Sequence, residues 1–171
     1  SKEAMKRGAH HVTHLFNAMK PFAHRDPGLI GAARDDESCM VELICDGIHI
    51  HPSVVRATFE MFGPERVVLV SDSMRATGMA NGTYELGGQE VTVKDRKATL
   101  KSGTIAGSAT DLYGCMCKAV EFGIPLAEAI FAATRNPAKS IGIYNETGSI
   151  TPGKDADILL VTDDLELKQV L

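Results

Sequence analysis

Three polar groups stand directly after short apolar runs: His14 with Asn17, Asp46 with His49, and Asp72. Imidazole is the commonest metal ligand and the commonest acid–base group near neutral pH. His14 could therefore ligate a metal through a neutral ring nitrogen, or be a hydrogen-bonded structural histidine. Asp72 follows Val67–Val70 and could move a proton or hold a metal, or simply cap a loop or helix. Arg25 lies in the loop Phe22-Ala23-His24-Arg25-Asp26-Pro27-Gly28. A guanidinium there could grip a phosphate through paired donors, or make a surface ion pair. His49-Ile50-His51 imitates an H-x-H metal pair, but Pro52 follows at once, so His49 reads better as a ligand-contacting group. His10, His11 and His24 receive no role.

These residues need elements to hold them. His10 to Phe16 reads as a strand, Val41 to Cys45 as another, and Val67 to Val70 as a continuous apolar strand buried on both faces, as in a parallel sheet. Between them, residues 2–8 look like the end of a helix stopped at Gly8, Pro21 to Gly31 like a breaker-rich loop, and Pro52 to Phe62 like a helix ended by Gly63-Pro64. Residues 83–104 change character. Tyr84-Glu85-Leu86 and Val91-Thr92-Val93 around Gly87-Gly88 predict a hairpin, with Ala98-Thr99-Leu100 as a third strand. Helical spacing returns over Thr110–Phe122 and Leu126–Thr134, and Asn136-Pro137 opens a short third helix. A turn over Gly148–Lys154 leads into an expected strand Ala156–Val161, with a further one over Leu165–Leu171. Alternating strands and helices predict α/β order with parallel strands. In such folds the carboxyl edge of the sheet is where sites are built. All three polar groups fall there.

The chain has 171 residues and a net charge of −4. That length suffices for a domain with a real core. The charge argues against phosphate-backbone binding, so no nucleic-acid partner is expected. No apolar run is long enough to span a membrane, and Ser1–Lys6 does not read as a signal peptide, so no membrane partner is expected either. The chain opens without Met, which leaves an upstream segment expected. Cys39, Cys45, Cys115 and Cys117 form no C-x-x-C pair and read as reduced thiols of a cytoplasmic protein.

Taken together, T-H-L-F-N-A-M (13–19), R-D-P-G (25–28), D-G-I-H (46–49), V-S-D (70–72) and G-T-I-A-G-S (103–108) resemble the N-acetylglucosamine-6-phosphate deacetylases of the amidohydrolase superfamily. The ending G-S-I-T-P-G-K-D-A-D-I-L-L-V (148–161) is similar to a signature of the superfamily at large. The resemblance runs through nearly the whole chain, in order. It implies a (β/α)8 barrel with a small β-sandwich, and an enzyme that removes acetate from N-acetylglucosamine 6-phosphate. It implies that His14 is a metal ligand on the sixth barrel strand and Asp72 the catalytic aspartate after the eighth. It implies that Asn17 and the backbone at Ala18 contact the phosphate, that Arg25 reaches it across a homodimer interface, that His49 contacts substrate, and that Ile105, Ala106 and Gly107 border the sugar.

The family's metal site also uses a glutamate and a second histidine from earlier strands, which this chain does not contain. A whole barrel takes about 250 residues. The expected fold is thus α/β: the C-terminal portion of a barrel, strands six to eight, over residues 1–145, and C-terminal sandwich strands over 146–171. The divalent metal, zinc or iron in the full-length enzyme, would be poorly held, and the chain alone inactive. A non-catalytic phosphosugar-binding or oligomer-forming module is the alternative. Another amidohydrolase, such as a deaminase, is a third reading. The partner expected is a phosphorylated amino sugar.

Overall fold

The computed structural model describes residues 1–171. A short exposed helix α1 (Lys2–Lys6) leads into strand β1 (His11–Val12), helix α2 (Gly28–Asp35), strand β2 (Met40–Ile44), helix α3 (Pro52–Phe62) and strand β3 (Val67–Val70). The three strands form one sheet in the order β1-β2-β3, parallel throughout. Val12 lies opposite Val41, Val41 opposite Val67, and Ile44 opposite Val70. The expected α/β order with parallel strands is what the chain forms.

Alternation along the strands separates two faces. Val41, Leu43, Val67 and Leu69 join one buried core with Val55, Phe59 and Phe62 of α3. Helices α4 (Leu112–Glu121) and α5 (Leu126–Ala133) add Cys115, Met116, Ala119, Ala129 and Ala132 to it. Glu42 therefore projects from the opposite face of β2, where it meets His11 and Thr13. Asp111 caps α4 by accepting from the Gly114 N–H at 2.6 Å. A cap of this kind stabilises a helix by about 1 kcal/mol. The short helix α6 (Arg135–Ser140) is fixed by buried Asn136, whose Nδ2 donates to Pro64 O and Val67 O.

A second, antiparallel sheet stands apart: β4 (Gly82–Leu86), β5 (Gln89–Lys94) and β6 (Lys97–Leu100), in that order. It closes over a small core of Met74, Ala76, Val91, Val93, Ala98 and Ala109. The chain ends in a two-stranded antiparallel pair, β7 (Leu159–Val161) and β8 (Leu167–Val170), exposed along both strands.

Four expectations need correction. β1 ends at Val12, not Phe16, because the chain turns sharply at Thr13 and docks on Glu42 of the neighbouring strand. Helix α2 starts at Gly28, inside the expected loop 21–31, with Pro27 preceding it. β7 begins only at Leu159, not Ala156. Arg25 is exposed and forms no ion pair, so the surface-pair alternative does not hold.

Candidate functional site

The parallel register puts the carboxyl ends of β1, β2 and β3 side by side. His14 follows β1, Asp46 and His49 follow β2, and Asp72 follows β3. Each is built differently.

After Val12 the backbone makes a tight turn in which His14, Phe16 and Ala18 all take positive φ (+33°, +75° and +53°). Non-glycine residues held so cost about 1–3 kcal/mol each unless their surroundings fix them, and such strain gathers at functional positions. Here Asn17 N–H donates to His14 O at 2.9 Å, and Leu15 N–H donates to Glu42 O at 2.8 Å. The His14 Nδ1 lies 3.1 Å from Asn17 O. A carbonyl can only accept, so Nδ1 carries the proton and Nε2 keeps a free lone pair. A ring nitrogen fixed by a backbone carbonyl is the usual support of a metal-bound histidine.

Beneath this turn Glu42 gathers donors from Thr13 Oγ1 (2.7 Å), the His14 N–H (3.2 Å) and His11 Nε2 (2.9 Å). Burial raises the Glu42 carboxyl, but these hydrogen bonds outweigh it and hold the group below the ordinary glutamate range. Neither Glu42 nor His11 stood out in the sequence. The signal that could have found Glu42 is a charged residue in the middle of an otherwise apolar strand.

After β2, Asp46 Oδ1 accepts from the N–H groups of Ile48 and His49, both at 2.9 Å, while Oδ2 meets His49 Nδ1 at 2.7 Å. The two side chains are 2% and 7% exposed. Burial pushes the Asp46 carboxyl up, yet the bonds from the His49 ring, His49 N–H and Ile48 N–H more than offset it, and it titrates below the usual range. His51 is elsewhere: it caps α3, its Nδ1 accepting from Ser53 N–H. His49 and His51 thus make no metal pair.

After β3, Asp72 also has positive φ, +48°. Its carbonyl accepts from Ser108 N–H, and Ser108 O accepts from Met74 N–H, both at 2.8 Å. Ser108 Oγ donates to Ser71 O, and Ser73 Oγ donates to Thr110 O at 2.6 Å. Ser108 is thereby laced to Asp72, while Ile105 and Ala106 just before it pair with Thr99 and Ala98 of β6. The structure brings His14, Asn17, Ala18, His49 and Asp72 to the ends of one sheet, with Gly107 beside Asp72 and Ile105 and Ala106 paired to β6 of the second sheet. Arg25 stays on an exposed loop.

As a metal site the set falls short. His14 offers a free Nε2, but no three His, Cys, Asp or Glu side chains are grouped to hold an ion. A tight site takes three protein ligands or more.

Comparison with known proteins fits this layout. The Amidohydrolase family model matches residues 1–171. The N-acetylglucosamine-6-phosphate deacetylase of Bacillus subtilis (strain 168) is 44% identical over 166 residues, covering 96% of this chain and 42% of that protein. A protein of Escherichia coli (strain K12), named as a candidate N-acetylgalactosamine-6-phosphate deacetylase, is 36% identical, covering 92% of this chain and 94% of its own length. Among solved structures, a Mycobacterium smegmatis N-acetyl-D-glucosamine-6-phosphate deacetylase variant bound to N-acetyl-D-glucosamine-6-phosphate superposes with a TM-score of 0.94 at 35% identity. That match covers 99% of this chain and 46% of that one. The chain therefore spans less than half the length of the Bacillus and Mycobacterium proteins.

Proposed function

This chain belongs to the amidohydrolase family, and from that premise we propose that it is part of an enzyme hydrolysing the acetamide of N-acetylglucosamine 6-phosphate to glucosamine 6-phosphate and acetate. One observation carries the reading: His14, His49 and Asp72 follow three adjacent parallel strands, with Ser108, directly after Ile105–Gly107, bonded to Asp72. In this reading β1, β2 and β3 are strands six to eight of a barrel, residues 1–145 its partial body, and 146–171 strands of a small sandwich.

A divalent metal, zinc or iron, would supply hydroxide at neutral pH in such an enzyme. The donors here do not complete its site, so only the chain's own groups are assigned steps. Asn17, the backbone at Ala18, and Arg25 of a second subunit hold the phosphate. His49, its Nδ1 committed to Asp46, presents Nε2 to the substrate. Asp72 takes a proton from the attacking water and returns it to the leaving amine. Phosphate binding remote from the amide aligns it for attack. The protein works in the cytoplasm, where its four free thiols stay reduced.

A non-catalytic phosphosugar-binding or oligomer-forming role is the second reading, favoured by the lack of a three-donor metal cluster. Two measurements test what this chain does alone. NMR titration with glucosamine 6-phosphate should shift the amides of Asn17 and Ala18; no shift at millimolar ligand removes phosphosugar binding by this chain. Acetate release with added zinc should be absent from the chain alone; robust turnover would overturn its inactivity. A substrate panel including N-acetylgalactosamine 6-phosphate and deaminase substrates sets the specificity.

A further inference from the structure

We infer that Glu42 is the positioning residue of the His14–Ala18 turn, working through Thr13 and the His14 backbone, with His11 and Ser140 anchoring it from below. For its functional consequence this rests on the reading of His14 and Asn17 as site residues. The structural part stands without it.

Beyond the packing of Leu15, Phe16 and Met19 on the core, the turn depends on few polar contacts. Three of its residues, His14, Phe16 and Ala18, occupy positive φ without being glycine. Its internal bonds, Asn17 N–H to His14 O, Asn17 Nδ2 to Leu15 O and His14 Nδ1 to Asn17 O, join the turn only to itself. The external bonds of Thr13, His14 and Leu15 all run to one residue. Glu42 Oε2 takes Thr13 Oγ1 and the His14 N–H, and Glu42 O takes Leu15 N–H. Leu15 is fully buried, so the backbone cannot slide.

The carboxylate is itself fixed. Its other oxygen meets His11 Nε2, and His11 Nδ1 meets Ser140 Oγ on α6. With Nε2–H donating to the carboxylate, Nδ1 accepts from the serine hydroxyl. A chain of hydrogen bonds thus runs from Ser140 through His11 and Glu42, on the face of β2 opposite Val41 and Leu43, and ends at His14. A glutamate in a strand of apolar neighbours is hard to explain by sheet stability alone, since β propensity and burial both disfavour it. A requirement to hold the next strand's turn explains it.

The test is amide hydrogen exchange by NMR on the whole chain, wild type against Glu42→Leu. Leucine is of similar size but has no acceptor, so the Thr13 hydroxyl, the His14 N–H and the His11 ring all lose their partner. The His14 amide should exchange about tenfold faster, while Val41, bonded to Arg66 O inside the sheet, keeps its protection. Affinity for glucosamine 6-phosphate should fall with it. Unchanged His14 exchange, or equal loss at His14 and Val41, would overturn the inference, the second because it marks a merely stabilising residue. Should Glu42→Leu fail to fold, Thr13→Val decides on the same two amides. If the wild type binds no phosphosugar, the functional reading fails while the exchange data still judge the clamp.

Discussion

Asp46 Oδ2 lies 2.7 Å from His49 Nδ1, and Asp46 Oδ1 is shared by two backbone N–H groups of the same loop. One carboxylate therefore both folds the loop and sets the tautomer of the imidazole. Because a carboxylate only accepts, Nδ1 is the protonated nitrogen and Nε2 keeps its lone pair.

Asp46→Asn should reverse that tautomer. Asparagine has a single acceptor oxygen, which cannot serve the two backbone donors and the ring together. With the oxygen on Ile48 and His49 N–H, the amide NH2 faces the ring, Nδ1 must accept, and the proton moves to Nε2. Imidazole nitrogen shifts measured by NMR would show it. Unfolding in urea should show a loss of about 1–3 kcal/mol for the disrupted buried bonds.

Acid should weaken the fold through the same groups. Asp46 and Glu42 both titrate below their ordinary values in the folded chain, held down by hydrogen bonds despite burial. A depressed folded pKa means that the unfolded chain binds the proton more readily. Their contribution is therefore full above the unfolded values of about 3.9 and 4.3. It is lost as pH falls through the lower folded ones. Urea midpoints should hold steady above about pH 5 and drop below about pH 4. In Asp46→Asn the drop should shrink.

Thiol labelling should divide the cysteines. Burial, with the neighbouring Cys115 thiol adding to the cost of ionisation, pushes Cys45 up to about 12, and burial with the nearby Asp46 charge does the same for Cys115. Only thiolates react. Both should resist a disulfide reagent until the chain unfolds. Cys117, on the opposite side of α4 and only partly buried, should label first in the native protein.

What could be read in advance follows the physics of each segment. Val67–Val70 declared a buried strand because four apolar residues in a row suit only that environment in a parallel sheet. Pro52 and Gly63 marked α3 at both ends. The turn after Val12 was hidden because its cause lies on another strand: Thr13 and His14 leave the β conformation to meet Glu42, a long-range contact with no local signature. His11 escaped for the same reason, since its partners Glu42 and Ser140 are remote in sequence. Asp72 was legible as a residue. Its tie to Ser108 was not, because a parallel bridge across 35 residues leaves no periodicity.

Gly107 and Gly148 separate conformational strain from steric conflict. Both have positive φ, +65° and +86°. An alanine methyl at 107 would find Asp72 O, Leu86 Cδ2 and Met74 Cβ all at 3.5 Å, ordinary contact distance. At 148 it would meet Ala138 Cβ at 2.8 Å and Thr134 O at 3.1 Å. Neither of those can swing away, one being a methyl fixed on α6 and the other backbone. Gly107→Ala should thus cost about 1–2 kcal/mol, the left-handed backbone alone. Gly148→Ala should add an overpacking cost of about 1–3 kcal/mol to the same strain. Urea denaturation of the two variants side by side measures the difference. Equal losses would mean that the packing of the 148–154 turn on α6 is looser than these distances state. The larger loss at 148 would identify that close approach as what demands glycine at the head of the G-S-I-T-P-G-K segment.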